Sequence, residues 1–130
     1  MRKIVFRAKH IDDGSVFANE WVRGDLCHYA NGTIFIRQQE TGSAFEVHQE
    51  SVGQFTGLLD KTGYCIYEGD IVQFGKHICK VVYNEHYAGF ALDKKGWAYL
   101  HFFGEACHNG DCTVIGNIYD NPELLKGGIE

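Results

Sequence analysis

Hydrophobic and polar positions alternate with a period of two along most of this chain. In residues 3–10, Ile4, Phe6 and Ala8 fall on one side while Lys3, Val5, Arg7 and Lys9 fall on the other. A strand with one buried and one solvated face requires that pattern. Asp12-Asp13-Gly14 then supplies a turn, and Val16, Phe17, Trp21 and Val22 predict a returning strand over 15–23. Asn31-Gly32 lies between Leu26-Cys27-His28-Tyr29 and Thr33-Ile34-Phe35-Ile36. Asn-Gly is the preferred pair of a two-residue type I′ hairpin, which is the turn predicted here. Residues 37–43 are polar and read as loop, and residues 44–48 alternate again briefly.

The second half has a tighter rhythm. Asp60-Lys61-Thr62-Gly63 is a turn signal, followed by Tyr64-Cys65-Ile66-Tyr67, Glu68-Gly69-Asp70 and Ile71-Val72-Gln73-Phe74. In residues 77–83, Ile78, Lys80 and Val82 oppose Cys79, Val81 and Tyr83. Phe90-Ala91-Leu92, the turn Asp93 to Gly96, and Trp97 to Phe103 predict one more hairpin. Residues 113–119 read as the last strand. After them, Asn121-Pro122-Glu123 predicts a short helix with Asn121 as its N-cap. No stretch sustains the 3.6-residue period of a long helix. The fold class is therefore all-β: a strand-rich N-terminal subdomain over residues 1–52, an SH3-like small barrel over residues 53–130, and a short C-terminal helix.

Composition narrows the function classes. The 130 residues suffice for a core without a metal or disulfide staple. No apolar run approaches the ~20 residues of a membrane span. Arg7 and Lys9 break the opening before an apolar signal-peptide core can form, so a cytoplasmic protein with no membrane partner is expected. Five cysteines at irregular spacing, an odd number, fit buried free thiols in a reducing compartment. A net charge of −5 argues against a general polyanion binder. Arg2, Lys3, Arg7 and Lys9 are the local exception. They suit a phosphate contact, or, as the plainer reading, the solvated and self-protecting edge of a strand.

Two long segments go beyond pattern. One runs Gln54-Phe55-Thr56-Gly57-Leu58-Leu59-Asp60-Lys61-Thr62-Gly63-Tyr64-Cys65-Ile66-Tyr67-Glu68-Gly69-Asp70-Ile71-Val72. The other is Val114-Ile115-Gly116-Asn117-Ile118-Tyr119-Asp120-Asn121-Pro122-Glu123-Leu124-Leu125. Together with Arg2-Lys3-Ile4-Val5-Phe6-Arg7-Ala8 they resemble the YopX family of phage and prophage proteins. The departures are small: Leu59 and Thr62 stand where a polar residue and an asparagine are common, and Tyr64-Cys65 replaces a polar pair. The resemblance implies an all-β fold with an SH3-like C-terminal part, a tendency to self-associate, and a bacterial host cell. It brings no catalytic or cofactor residue with it.

Each chemical motif has a plainer structural reading. Tyr67-Glu68-Gly69-Asp70 offers two carboxylates and a phenol for acid–base or metal chemistry. Gly69-Asp70 before Ile71-Val72 equally fits a turn whose aspartate binds backbone amides, which is preferred. Residues 56–63 lack the spacing and the Lys-Ser/Thr of a phosphate-binding loop. Cys107-His108-Asn109-Gly110-Asp111-Cys112 is the best metal candidate, but a tetrahedral site needs a second pair of ligands, and Asn109-Gly110 reads as a hairpin turn. None of the seven histidines sits in a nucleophile-and-base setting. The aromatics Tyr83, Tyr87, Phe90, Trp97, Tyr99, Phe102 and Phe103 suit a core plus an interface better than base stacking, given how few basic residues accompany them.

The expectation is a non-enzymatic, cofactor-free phage or prophage accessory protein that forms a homo-oligomer and binds a host or phage protein. Its candidate interaction residues are Arg2, Lys3, Arg7, Tyr67, Asp70, Tyr83, Tyr87 and Trp97. Nucleic-acid binding through the basic first strand and nearby aromatics is the alternative.

Overall fold

A computed structural model describes residues 2–96, 101–102 and 112–127. The chain divides into two compact units, Met1–Phe55 and Thr56–Glu130. The class is all-β, with antiparallel sheets and one short helix, as the alternation predicts.

In the first unit, β1 (Phe6–Lys9), β2 (Trp21–His28), β3 (Ile34–Arg37) and β4 (Ala44–Glu46) pair in the order β4-β3-β2-β1. The start of β5 (Gly53–Leu59) joins the free side of β1, with Phe6 opposite Gln54. Register places Ala8 opposite Val22 and Leu26 opposite Ile36. Ala8, Val22, Ile34, Ile36 and Val47 form the core, with Phe6, Leu26, Phe45 and Val52 packed against it. Gly24 is glycine because the backbone leaves no alternative. Its φ is +157°, and a Cβ there would run into the carbonyl oxygen of Arg37.

Two expectations are corrected here. Residues 15–19 form turns, not strand, and Val16 and Phe17 are exposed; the strand starts only at Trp21. The Asn31-Gly32 hairpin exists, but its turn is of the three-residue kind. Gly32 N–H closes on the Tyr29 carbonyl at 3.0 Å, and Tyr29 N–H bonds the Thr33 carbonyl. Gly32 alone takes positive φ, whereas type I′ needs it at Asn31 too. The Asn31 side chain instead accepts from the Thr33 amide and hydroxyl, 3.1 and 2.7 Å.

In the second unit the later residues of β5 run beside β6 (Cys65–Tyr67), and the Thr56 hydroxyl bonds the Ile66 carbonyl at 2.7 Å. The main sheet comprises β7 (Asp70–Phe74), β8 (His77–Asn84), β9 (Gly89–Asp93), β10 (His101–Phe102) and β11 (Cys112–Asn117), ordered β10-β9-β8-β7-β11. Ile66, Val72, Cys79, Val81, Leu92 and Cys112 are its core. The predicted alternation of β8 holds for Cys79 and Val81, which point inward. Among the described residues the sheet is open, with β10 and β11 at its two edges, so the expected barrel closure is not present there. A helix, α1 (Glu123–Gly127), follows.

The cysteine expectation also changes. Cys27, Cys65 and Cys79 are free, but Cys112 is disulfide-bonded. An odd total hides a bonded cysteine as readily as it suggests none.

Candidate functional site

The long motifs of the second unit fold into a mutually bonded set of turns. Asp60, 5% exposed, is its hub. One carboxylate oxygen accepts from the Thr62 amide (2.8 Å), the Thr62 hydroxyl (2.7 Å) and the Tyr64 amide (2.9 Å). The other accepts from the Val114 amide on β11 at 2.9 Å. Burial pushes this carboxyl up, but the Val114 amide and the Thr62 and Tyr64 donors outweigh it and hold it below its ordinary value. Asp70, 1% exposed, accepts from the Tyr67 amide at 2.8 Å across the Glu68-Gly69 turn. This is the turn role preferred from sequence. A carboxylate so enclosed holds a turn and offers little to a partner.

The closing motif locks in the same way. β11 carries a bulge between Val114 and Gly116, opposite Val72 and Ile71. The Asn117 side chain accepts from the Tyr119 and Asp120 amides, 3.0 and 2.9 Å. Asn121 stands at the start of α1, where its backbone carbonyl accepts from the Leu124 amide at 3.1 Å, but its side chain does not cap the helix. Its side-chain oxygen turns back to the Asn117 amide at 3.2 Å, lying over Gly116, where a Cβ would sit 2.6 Å from it.

The other candidates separate by exposure. Arg2 and Lys3 are exposed, but Arg7 is buried, with its guanidinium 4.7 Å from the Trp21 ring centre and Lys9 stacked on the same ring at 5.6 Å. The predicted solvated face of β1 is thus covered by an aromatic from the paired strand. Two of the four charges behind the nucleic-acid reading are held there. Tyr67 is buried as well and lines no surface. Tyr83 and Tyr87 are 46% and 58% exposed on the β8–β9 hairpin. Tyr83 meets Phe90 edge-on at 5.5 Å, Tyr87 meets His86 at 4.9 Å, and the Tyr87 amide is fixed to the Asn84 side chain at 2.9 Å. Trp97 and the stretch Cys107 to Asp111 lie outside the described residues. Among those described, no group of three or more acidic, histidine or cysteine side chains is placed to hold a metal. A disulfide-bonded Cys112 has no thiolate to offer one.

The YopX family model matches residues 5–126. The chain belongs to the YopX family. Its fold is similar to the crystal structure of protein EF1440 from Enterococcus faecalis, with a TM-score of 0.55 at 23% identity, covering 96% of this chain and 99% of that one. Among curated proteins, none matches. The residues that marked this YopX chain in its sequence are therefore the ones that build it: Asp60, Gly63, Gly69, Asp70, Asn117 and Asn121 serve turns, and Gly116 the bulge in β11.

One feature of this YopX protein lies almost wholly outside its motifs, which contribute only Leu125 to it. A cavity of about 230 Å³ opens between β8, β9 and α1. Lys80, Lys94, Lys95 and Lys126 line it together with Asp93. No local pattern announces it, because its lysines come from three separate elements and only Lys94 and Lys95 are neighbours in sequence.

Proposed function

We propose that this YopX-family chain is a non-enzymatic, cofactor-free binding module of a phage or prophage. It acts in the bacterial cytoplasm as a homo-oligomer that engages a host or phage protein. The observation that carries this reading is the aromatic hairpin β8–β9. Tyr83 and Tyr87 stand exposed there, yet each is braced edge-on by a neighbouring ring. Large, rigid aromatics lose little side-chain entropy on contact, and they dominate the energetics of protein interfaces. A second copy of the chain is the occupant proposed for this hairpin, in line with the self-association that family resemblance implies.

Multi-angle light scattering tests the assembly. The wild type is expected to show a mass above 14.7 kDa at high micromolar concentration. A Tyr83→Ser/Tyr87→Ser variant should fall to the monomer mass with an unchanged circular dichroism spectrum. A strictly monomeric wild type refutes self-association, and an oligomer indifferent to the double substitution refutes the hairpin as its contact. Affinity purification from phage-induced cells tests the second half. Recovery of only the chain itself there would remove the partner protein.

A further inference from the structure

The cavity between β8, β9 and α1 has a charge opposite to that of the chain. The protein as a whole carries −5. Around this one recess, however, the described lining residues include four lysines against a single carboxylate, that of Asp93. Asp93 is 3.7 Å from Lys80 and offsets one of the four charges. Lys94 is bonded at 3.0 Å to Nδ1 of His77. An ammonium group only donates, so His77 acts there as an acceptor through a ring nitrogen and contributes no negative charge. Among the described lining residues, three cationic charges remain in excess about a space of roughly 230 Å³. Like charges held together raise the free energy of the empty site and favour an anion that disperses them.

We propose that this cavity binds a small organic phosphate. Lysine meets a phosphate as a mobile point charge with three donors, so several lysines from different elements can close on one dianion. The other described walls, Ile78 and Leu125, are aliphatic. They suit an apolar portion of the same ligand and give bare inorganic phosphate nothing to pack against. The volume lies below that of pockets for drug-sized ligands, which run from about 300 to 1,000 Å³, so the ligand is fragment-sized. A nucleic-acid strand is a poorer fit. It is held by an extended basic groove with stacking aromatics, and aliphatic walls provide no stacking platform.

Titration of the full chain with phenyl phosphate, followed in two-dimensional ¹H–¹⁵N spectra, tests this assignment. Saturable shifts are expected at the amides of residues 78–80, 93–95 and 125–126. Phenyl phosphate should bind more tightly than inorganic phosphate. A Lys94→Gln/Lys95→Gln/Lys126→Gln variant should bind at least roughly tenfold more weakly, as loss of charge-assisted bonds predicts. Lys126→Gln alone, at the end of α1 and clear of the sheet core, should weaken binding by a smaller factor and guards against a folding defect in the triple variant. The proposal is overturned if no saturable shift appears by about 20 mM phenyl phosphate, well beyond a millimolar dissociation constant. It is overturned too if the triple variant, still giving a folded spectrum, titrates like wild type. Tighter binding of a short oligo-thymidylate than of phenyl phosphate at these same amides would assign the site to nucleic acid and sink the small-ligand reading.

Discussion

Replacing Asp60 with asparagine should destabilise the second unit more than any other isosteric change in it. The native carboxylate accepts four hydrogen bonds from three residues while only 5% exposed. Asparagine keeps one oxygen, enough for the three donors from Thr62 and Tyr64. It must then turn its NH₂ toward the Val114 amide, setting donor against donor. A lost bond to a charged acceptor is worth about 1.5–3 kcal/mol, and a buried amide left unsatisfied adds about 1–3 kcal/mol. Partial relaxation of the turn puts the expected loss at about 3 kcal/mol, a large part of the ~5–15 kcal/mol that holds a typical domain folded. Urea unfolding followed by circular dichroism measures it. The pH dependence gives a second reading. Asp60 titrates lower folded than unfolded, where its ordinary value is 3.8. Its contribution is therefore complete above that value and disappears as pH falls through the folded-state value. The gap between wild type and Asp60→Asn should stay level above about pH 5 and close progressively below about pH 4. A gap under about 0.5 kcal/mol at neutral pH, the range of ordinary surface substitutions, would refute the hub role of Asp60. So would a gap that persists unchanged into strong acid.

Gly24→Ala should cost roughly 2–4 kcal/mol in urea unfolding, since both its φ of +157° and the Arg37 carbonyl oppose a side chain. Gly116→Ala should cost about 1–3 kcal/mol and displace Asn121, which a chemical-shift change at the Asn117 amide would report. Asp13 is held down to about 2 by the Ser15 hydroxyl and amide, with His10 adding to both. Its carboxyl should titrate there by NMR, and the midpoint should rise toward 3.8 in Ser15→Ala. Under native conditions iodoacetamide should label Cys65, which is exposed, and spare Cys79, whose thiol burial pushes up to about 11. Mass spectrometry showing equal labelling of the two would contradict the packing of β8.

What the sequence made legible is the chemistry that acts within a few residues. The Asp60 and Asp70 turns, the Asn31-Gly32 hairpin and the strand alternation of β8 each depend on groups close along the chain. What it hid depends on another strand. Arg7 sits on the expected solvent side of β1, yet Trp21 on β2 covers it, and the period of one strand carries no information about what its partner lays over it. Asn121 has every local mark of an N-cap, but the bulge in β11 brings Asn117 within reach of the same oxygen, and that bond is the one formed. Lys80, Lys94, Lys95 and Lys126 make the same point for function. Along the chain they are ordinary strand, turn and helix-end lysines, diluted in an acidic protein. Only the register of β8 against β9, which sets Lys80 opposite Asp93, and the return of α1 bring them to one cavity. Local grammar in this chain specifies how it turns, and turning is what family motifs record. A ligand site assembled from the products of three turns leaves no motif. Of the long motifs only Leu125, the last residue of the closing one, reaches that cavity, and none of the lysines belongs to them.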